Sequence, residues 1–401
     1  MSIFYVIFLL LAVYFSIRYD KIEEYDAHKE HRLWLMCFYL ICLSGFSYGL
    51  GADKFAYLEE FEEYSQNMRD LGPTIEYNML FTGQMPLWTI VNALCKVVFD
   101  SFYAVQLLES AAINITVCYL ASKYTKRVFL FLIIYFITCQ YFIFNTEVMR
   151  EGFALSLILL GMHFYMTGKK WAFWLSIPIG LLFHMSAVIA LIFPPSKIKL
   201  SWKTLYITVI STFVFWLFSD ILFGRVISAV MGGEGSLVQK ILLYSLQSTP
   251  FFGYLRAVLT YLVFPFIVMY TTIQMETDKE LKNRKMKLMQ FMIYLAIPAS
   301  SFAGFARFFN YVYVFYLIML ADFLYTLFQT KKYFIIRAGT IMGICFVLYL
   351  HYFAHYETTN TYYYNFFYPY TCILDESVDV SYRSVAHNEA INGITSDTRD
   401  I

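Results

Sequence analysis

The chain has 401 residues, of which 59% are hydrophobic, 20% aromatic and only 15% charged, and its mean hydropathy is +0.56. Soluble domains carry about 25% charged residues, so an ordinary globular protein is excluded. A formal net charge of +1, with no basic patch interleaved with aromatics, excludes nucleic acid as a partner.

The seven cysteines show no CxxC and no paired spacing, so neither a disulfide framework nor a structural zinc site follows. Cys37, Cys42, Cys118, Cys139 and Cys345 fall inside apolar runs, where the thiol acts as a small hydrophobe.

Crossing the hydrocarbon core takes roughly 20 apolar residues in a helix. Runs near that length lie at 2–17, 33–51, 102–122, 127–145, 150–168, 203–223, 252–274, 288–306, 308–328 and 334–354. The first lacks a basic leader and a small-residue cleavage site and reads as a retained helix. The expected class is an all-α polytopic integral membrane protein. It has about ten full transmembrane helices, a short hairpin at 171–194 and amphipathic helices on the outer surface.

The hairpin follows from charge. Cytoplasmic loops accumulate Lys and Arg, and two thirds of the chain's 30 fall in six short loops: 18–32, 123–127, 169–170, 197–203, 279–287 and 331–337. A single span at 171–194 would place the loop 279–287 outside. Two short segments, 171–183 and 184–194, keep all six loops on one side, with Pro178 and Gly180 weakening the first and His184 near the apex.

The outer segment 52–101 is acidic and contains an amphipathic stretch at 85–99. A second outer loop, 224–250, is flexible around Gly232, Gly233 and Gly235. Residues 1–355 read as one transmembrane catalytic domain, and 356–401 as an acidic outer tail, partly disordered. No internal repeat is present, unlike transporters built from duplicated halves.

Charge at membrane depth is costly and needs a reason. Arg150 opens a span between Glu147 and Glu151. Arg307 lies between apolar runs, Arg256 begins a span and Arg225 ends one. Four guanidinium groups at one depth suit a phosphate-bearing anion, although each could instead snorkel to the interface or pair with a neighbouring carboxylate. His184, in a wholly apolar stretch, suits a base or hydrogen-bond donor near neutral pH, or a packed core histidine. Asp53 follows Gly49, Gly51 and Ala52, small residues that admit close approach of a substrate. No Asp-x-Asp and no His-x-x-x-His occurs, so no metal is expected. No Walker loop, GxSxG or GxGxxG occurs either, so the chemistry needs a donor already activated in the membrane, such as a lipid diphosphate.

Gly49-Leu50-Gly51-Ala52-Asp53 with Tyr57 resembles the Gly-x-Gly-Thr-Asp-x-x-x-Tyr motif of EpsG/Wzy-like polysaccharide polymerases. Glu76, the apolar run 79–99 and the span after Phe102 follow in that family's order. Asn145 to Ala154 resembles its Asn-x-x-Arg-Gln-x-x-Ala stretch. Phe183-His184-Met185-Ser186-Ala187, after Lys169-Lys170, resembles Phe-His-x-Ser-Ala, and Ala306-Arg307-Phe308 resembles a later arginine motif. The likeness covers roughly residues 45 to 320. Ala52 replaces Thr, Tyr48 stands near a common Arg, and Glu151 replaces Gln, placing a carboxylate expected to offset Arg150.

The resemblance implies a glycosyltransferase of the integral-membrane GT-C type without cofactor or metal. It implies polymerisation of undecaprenyl-diphosphate-linked oligosaccharide on the outer face of the bacterial cytoplasmic membrane, for O-antigen, capsule or exopolysaccharide. The lipid bilayer and other polysaccharide-assembly membrane proteins are the implied partners. Arg150, Arg307, Arg256 and Arg225 would bind the diphosphate, Tyr57 and Glu76 the glycan, with Tyr64 and Tyr77 of the acidic outer segment 52–79 helping by hydrogen bonds and stacking, and His184, Asp53 and Glu151 would be catalytic. An O-antigen-type ligase and a lipid-linked-sugar flippase are the alternatives; a flippase wants cations at mid-membrane, whereas these lie at the outer edge. A membrane acyltransferase also uses a histidine, but no acyl-donor access is visible. Cysteines placed singly across 180–188 are expected to label from outside the cell near residue 184. Absence of outside labelling along the stretch would refute the hairpin.

Overall fold

Backbone amides that leave water must be paired within their own segment, so long apolar runs fold as helices. The computed structural model describes residues 3–51, 53–218, 250–301 and 303–329, and, further on, 361–374 with isolated positions between 339 and 385. Ala52, Arg225, nearly all of the loop 224–250, much of the run 334–354 and the end of the tail lie outside the described residues.

The helices in chain order are α1 (Ile3–Tyr19), α2 (Ala27–Gly45), α3 (Asp53–Glu62), α4 (Leu71–Tyr77), α5 (Pro86–Phe99), α6 (Phe102–Tyr124), α7 (Val128–Ile137) and α8 (Gln140–Phe142). They continue with α9 (Met149–Met166), α10 (Lys170–Leu181), α11 (Trp202–Leu217), α12 (Phe251–Val258), α13 (Phe264–Met275), α14 (Lys279–Ser301) and α15 (Asn310–Gln329). Among the described residues one pair of two-residue strands, β1 (His355–Tyr356) and β2 (Thr361–Tyr362), is antiparallel. The fold is thus helical, as its composition requires.

Among the described residues, three helical stretches are long and apolar enough alone to cross a membrane: Phe102–Tyr124, Phe251–Met275 and Phe305–Gln329. A fourth arises if Val128–Ile137 and Gln140–Glu147, bent by 79°, count as one span. This is fewer than the ten runs of the hydropathy profile. Several of those runs break into shorter helices, and Ile3–Tyr19 and Trp202–Leu217 are apolar but short. The amphipathic stretch is α5, with Pro86 in its first turn, where a missing N–H costs nothing. Trp88, Asn92 and Cys95 face inward, while Leu94, Val98 and Phe99 are exposed.

The stretch 171–194 is two elements, α10 with Pro178 inside it and a 3-10 helix Met185–Ile192, packed on each other. Their ends remote from His184 lie together. The charges of Lys123, Lys169 and Arg284 all bear on His163. One turn beyond Arg284, Lys287 Nζ donates to the carbonyls of Pro194 (3.0 Å) and Ser196 (2.7 Å). The same end of the bundle is locked by other contacts between basic loops. Lys29 Nζ donates to Ile22 O (3.1 Å) and Lys126 O (2.6 Å). Asp20 accepts from the amides of Phe129 (3.2 Å) and Leu130 (2.8 Å), capping α7 from another segment. Asp322, near the end of α15, bonds Thr125 and pairs with Lys285 at 3.0 Å. The described basic loops, 18–32, 123–127, 169–170, 197–203 and 279–287, therefore converge on one end, and the loop 331–337 lies outside the described residues.

At the opposite end, the segment 361–374 folds back over the turn after α2. Ile373 N donates to Phe46 O (3.0 Å), Tyr48 N to Thr371 O (3.0 Å) and Gly51 N to Phe366 O (2.9 Å). Arg383, 1% exposed, binds this assembly together. Its guanidinium donates to the carbonyls of Gly49 (2.8 Å), Asn365 (3.1 Å) and Pro369 (2.6 Å) and to Thr371 Oγ1 (3.1 Å). Arg383→Ala strips these buried acceptors of their donor and is expected to cost about 1–3 kcal/mol. The measurement is the unfolding temperature of the detergent-solubilised protein, with Arg383→Lys recovering only part of the loss.

Candidate active site

The turn from α2 into α3 positions the first group. Gly49 (φ +52°) and Gly51 (φ +81°) are left-handed, a conformation glycine adopts without strain. A Cβ at residue 51 would fall 2.6 Å from Thr146, so this glycine also lets the turn lie against the segment before α9. Gln106 Nε2 on α6 holds the turn from behind, donating to the carbonyls of Ser44 (2.7 Å), Gly45 (2.9 Å) and Ser47 (2.9 Å). Asp53 thereby opens α3, where a carboxylate complements the positive end of the helix.

Beneath Asp53 lies a charge cluster. Lys54 is 3% exposed and its Nζ donates to Ser47 Oγ at 2.8 Å. Burial pushes its amine down from 10.5 to about 7, while the carboxylates of Glu109 and Glu147 pull it back up. Glu109, on α6, is fully buried and its oxygens accept no hydrogen bond. Its Oε1 lies where a Cβ on Gly152 would collide, so that glycine lets α9 pass close to the carboxylate.

The segment before α9 is fixed by Asn145. Its Oδ1 accepts from Asn114 Nδ2 (2.7 Å) and Ser110 Oγ (3.1 Å), and its Nδ2 donates to Tyr141 O (2.7 Å). A π-helical turn, Ile143–Glu147, then delivers Arg150 and Glu151 to the first turn of α9. Successive helical residues point about 100° apart, so the two serve different neighbours.

Arg150 lies over the Tyr57 ring, 5.2 Å from its centroid, in a cation–π contact. Tyr57 packs on Trp88 at 5.4 Å, and burial raises its phenol to about 12, so the ring stays neutral. The carboxylates whose charges bear most on Arg150 are those of Glu60 and Asp53. Glu151 instead faces Arg307, Asn310 and Ser186. The substitution of Gln by Glu at 151 therefore places its charge in the field of Arg307 rather than against Arg150. Arg307 itself is exposed, in a 3-10 turn Ala303–Phe309 that leads into α15.

His184 caps the 3-10 helix Met185–Ile192. Its Nδ1 accepts from Ser186 N at 3.3 Å and lies 2.6 Å from Ser186 Oγ. Ser186 Oγ in turn lies 2.7 Å from Tyr311 OH. An amide N–H only donates, so Nδ1 is the bare nitrogen and the proton is assigned to Nε2. Phe183 stacks on Phe153 at 4.9 Å, seating this loop against α9.

The structure thus brings six of the sequence candidates around the first turn of α9, as two adjoining groups. Asp53, Tyr57 and Arg150 form one; Glu151, His184 and Arg307 form the other. Arg256 is exposed on α12, and its charge bears on Tyr261, whose ring packs on Phe309 at 5.1 Å. Glu76 is exposed on α4, and Arg225 is not described. Among the described residues no group of three His, Cys, Asp or Glu could hold a metal ion. Sequence reasoning did not single out Lys54, Glu109, Gln106, Ser186, Tyr311 or Arg383. Glu109 carried a usable signal, a lone acid inside the run 102–122; Gln106, Tyr311 and Arg383 are marked only by partners distant in sequence.

A buried polar group that loses its hydrogen-bond partner costs about 1–3 kcal/mol. Lys54→Met removes the donor to Ser47 Oγ and the cation whose charge bears on Glu109; it is expected to cost about 1–3 kcal/mol, with Lys54→Met combined with Glu109→Gln recovering part of it, both read by thermal unfolding. The Lys54 contribution has a defined pH sign. It is full above the unfolded value of 10.5 and is lost as pH falls to about 7. The Lys54→Met/Glu109→Gln pair should remove that slope.

No curated protein and no solved structure matches the chain. Residues 31–372 match the model of the EpsG family. The chain therefore belongs to the EpsG family of Wzy-like polysaccharide polymerases.

Proposed function

We propose that the protein joins undecaprenyl-diphosphate-linked oligosaccharide repeat units into a longer glycan. In this reading the basic end faces the cytoplasm, the chain crosses the inner membrane about ten times, and the site opens on the outer face. The observation that carries it is the first turn of α9, from which Arg150 and Glu151 reach two adjoining groups rich in arginine and carboxylate. Such a pairing suits a reaction in which an anionic leaving group departs while a proton is removed close by. Family membership and the convergence of the basic loops at the far end support it.

The acceptor hydroxyl oxygen attacks the anomeric carbon of the donor sugar. The bond from that carbon to the diphosphate oxygen breaks, and the electron pair leaves with the lipid diphosphate. Arg150 and Arg307 bind the diphosphate and stabilise the charge that develops on it. Asp53, held beside Arg150, takes the acceptor proton. His184 contributes as a donor through Nε2–H, because its other nitrogen already accepts from Ser186. Glu151 positions Arg307 before the diphosphate arrives. No nucleotide is consumed, since the donor brings its own leaving group.

Removing a charge-stabilising group costs roughly 10²–10³ in rate. Arg150→Ala and Arg307→Ala are each expected to leave lipid-linked single repeat units in place of the polymer ladder, read by electrophoresis of the lipid-linked glycans. Normal ladder length in both variants would sink the assignment. Polymer retained on lipid in cells lacking the protein would mean a ligase, and units trapped inside, a flippase.

A further inference from the structure

Next to the Arg150 group lies a cleft of about 390 Å³ that neither the motif residues nor the proposed chemistry uses. That volume is at the lower end of the roughly 300–1,000 Å³ typical of small-ligand sites. The end of α3 contributes Glu60, Glu63 and Tyr64; α4 and its surroundings add Asp70 and Tyr77; the following turn adds Asn78 and Gln84.

Its floor is already built. Asn78 Nδ2 donates to Tyr64 OH (3.0 Å), Gln84 Oε1 (3.2 Å) and Thr89 Oγ1 (3.3 Å), and Tyr64 OH donates to Gln84 Oε1 (3.0 Å). Tyr64, Asn78 and Gln84 are all buried, so these side chains are set before anything binds. At the rim, Tyr77 is 58% exposed and its ring lies 5.0 Å from that of Phe81. An exposed aromatic face beside fixed amides and carboxylates is the chemistry that holds a sugar, whose C–H face packs on the ring while its hydroxyls bond the polar groups.

Position and charge narrow the ligand further. Met79, Leu80 and Phe81, on the turn beside the cleft, are exposed apolar residues, as expected of a segment resting at the membrane interface. Glu60 belongs both to the cleft lining and to the carboxylates around Arg150. A glycan whose diphosphate rests on Arg150 would therefore enter the cleft with its first sugars. Three carboxylates and no Lys, Arg or His line it. Like charges at such distances repel, and the buried floor offers no cation to compensate.

We propose that this cleft is the sugar subsite adjoining the diphosphate, and that it takes neutral or amino sugars and rejects uronic acids. Tyr77 supplies the platform and Glu63 much of the selectivity. The assignment of a lipid-linked donor rests on the polymerase reading above; the sugar site itself does not.

The test uses the full-length protein in detergent micelles and saturation-transfer NMR with chitotriose, its de-N-acetylated form and trigalacturonate. The first two should receive saturation from the protein and trigalacturonate should not. Tyr77→Ala should weaken chitotriose binding roughly tenfold. Glu63→Gln should admit trigalacturonate, a gain that misfolding cannot imitate. Trigalacturonate binding equally well to the unmodified protein, a chitotriose signal indifferent to Tyr77→Ala, or no binding by any probe overturns the cleft. The ladder separates the two readings. A ladder lost in Arg150→Ala cells, with a Tyr77-independent chitotriose signal, removes the cleft alone. A normal ladder with a Tyr77-dependent signal keeps the cleft as a sugar site and removes the polymerase.

Discussion

The arrangement around α9 depends on two buried ionisable side chains, Lys54 and Glu109, whose charges bear on each other. Lys54 and Glu109 come from different segments, one from the turn after a span and the other from inside one. An isolated ion in an apolar interior costs several kcal/mol, and the opposite charge of the other offsets part of that cost. Lys54 holds the turn 46–51 through Ser47, and Gln106 holds the same turn to α6. Glu109 lies against α9, where Gly152 is the residue that passes it without a side chain. Arg150 and Glu151 open the same helix, so their directions follow from where that turn is pinned. The charge cluster acts on the candidate site through placement, not through contact with a substrate.

A second layer of constraint comes from hydrogen bonds to backbone carbonyls. The turn bearing Gly49 and Gly51 leaves its carbonyls without helical partners, and buried carbonyls must be satisfied from elsewhere. Gln106 supplies them from the bundle side and Arg383 from the carboxyl-terminal side. Both donors are planar and multidentate, so they hold direction as well as distance.

Much of this was legible in the sequence, and the reasons it was legible are physical. Apolar runs must be helical in lipid, which gave the class, though not where a run such as 127–145 bends. The bend at 137–140 is set by Cys139 in the left-handed region (φ 60°) and by aromatic packing, neither of which hydropathy registers. The basic loops predicted a common end, and the cross-loop bonds of Lys29, Asp20, Lys285 and Lys287 place the described ones there. The same count required two elements at 171–194. What stayed hidden is pairing. Nothing local to Lys54 announces Glu109, and nothing near residue 383 announces Gly49. Arg150 and Glu151 look like a self-neutralising pair when read as neighbours in sequence; helical geometry sends them to different partners. Glu76 and Glu60 are equally acidic on paper, and only the cleft separates them.

The carboxyl-terminal segment adds a last step. The family match ends at residue 372, yet Arg383 lies beyond it and bonds the carbonyl of Gly49, inside the first motif. A motif's residue types can therefore be shared across a family while the structure that holds them rigid is supplied by a segment outside the shared region. Precision in a site comes from the residues that immobilise its backbone as much as from those that meet the substrate. In this chain the immobilising group is a buried guanidinium from the tail, and it acts on the turn that presents Asp53. Loss of that tail would leave every motif residue in place and the turn beneath them without one of its two anchors.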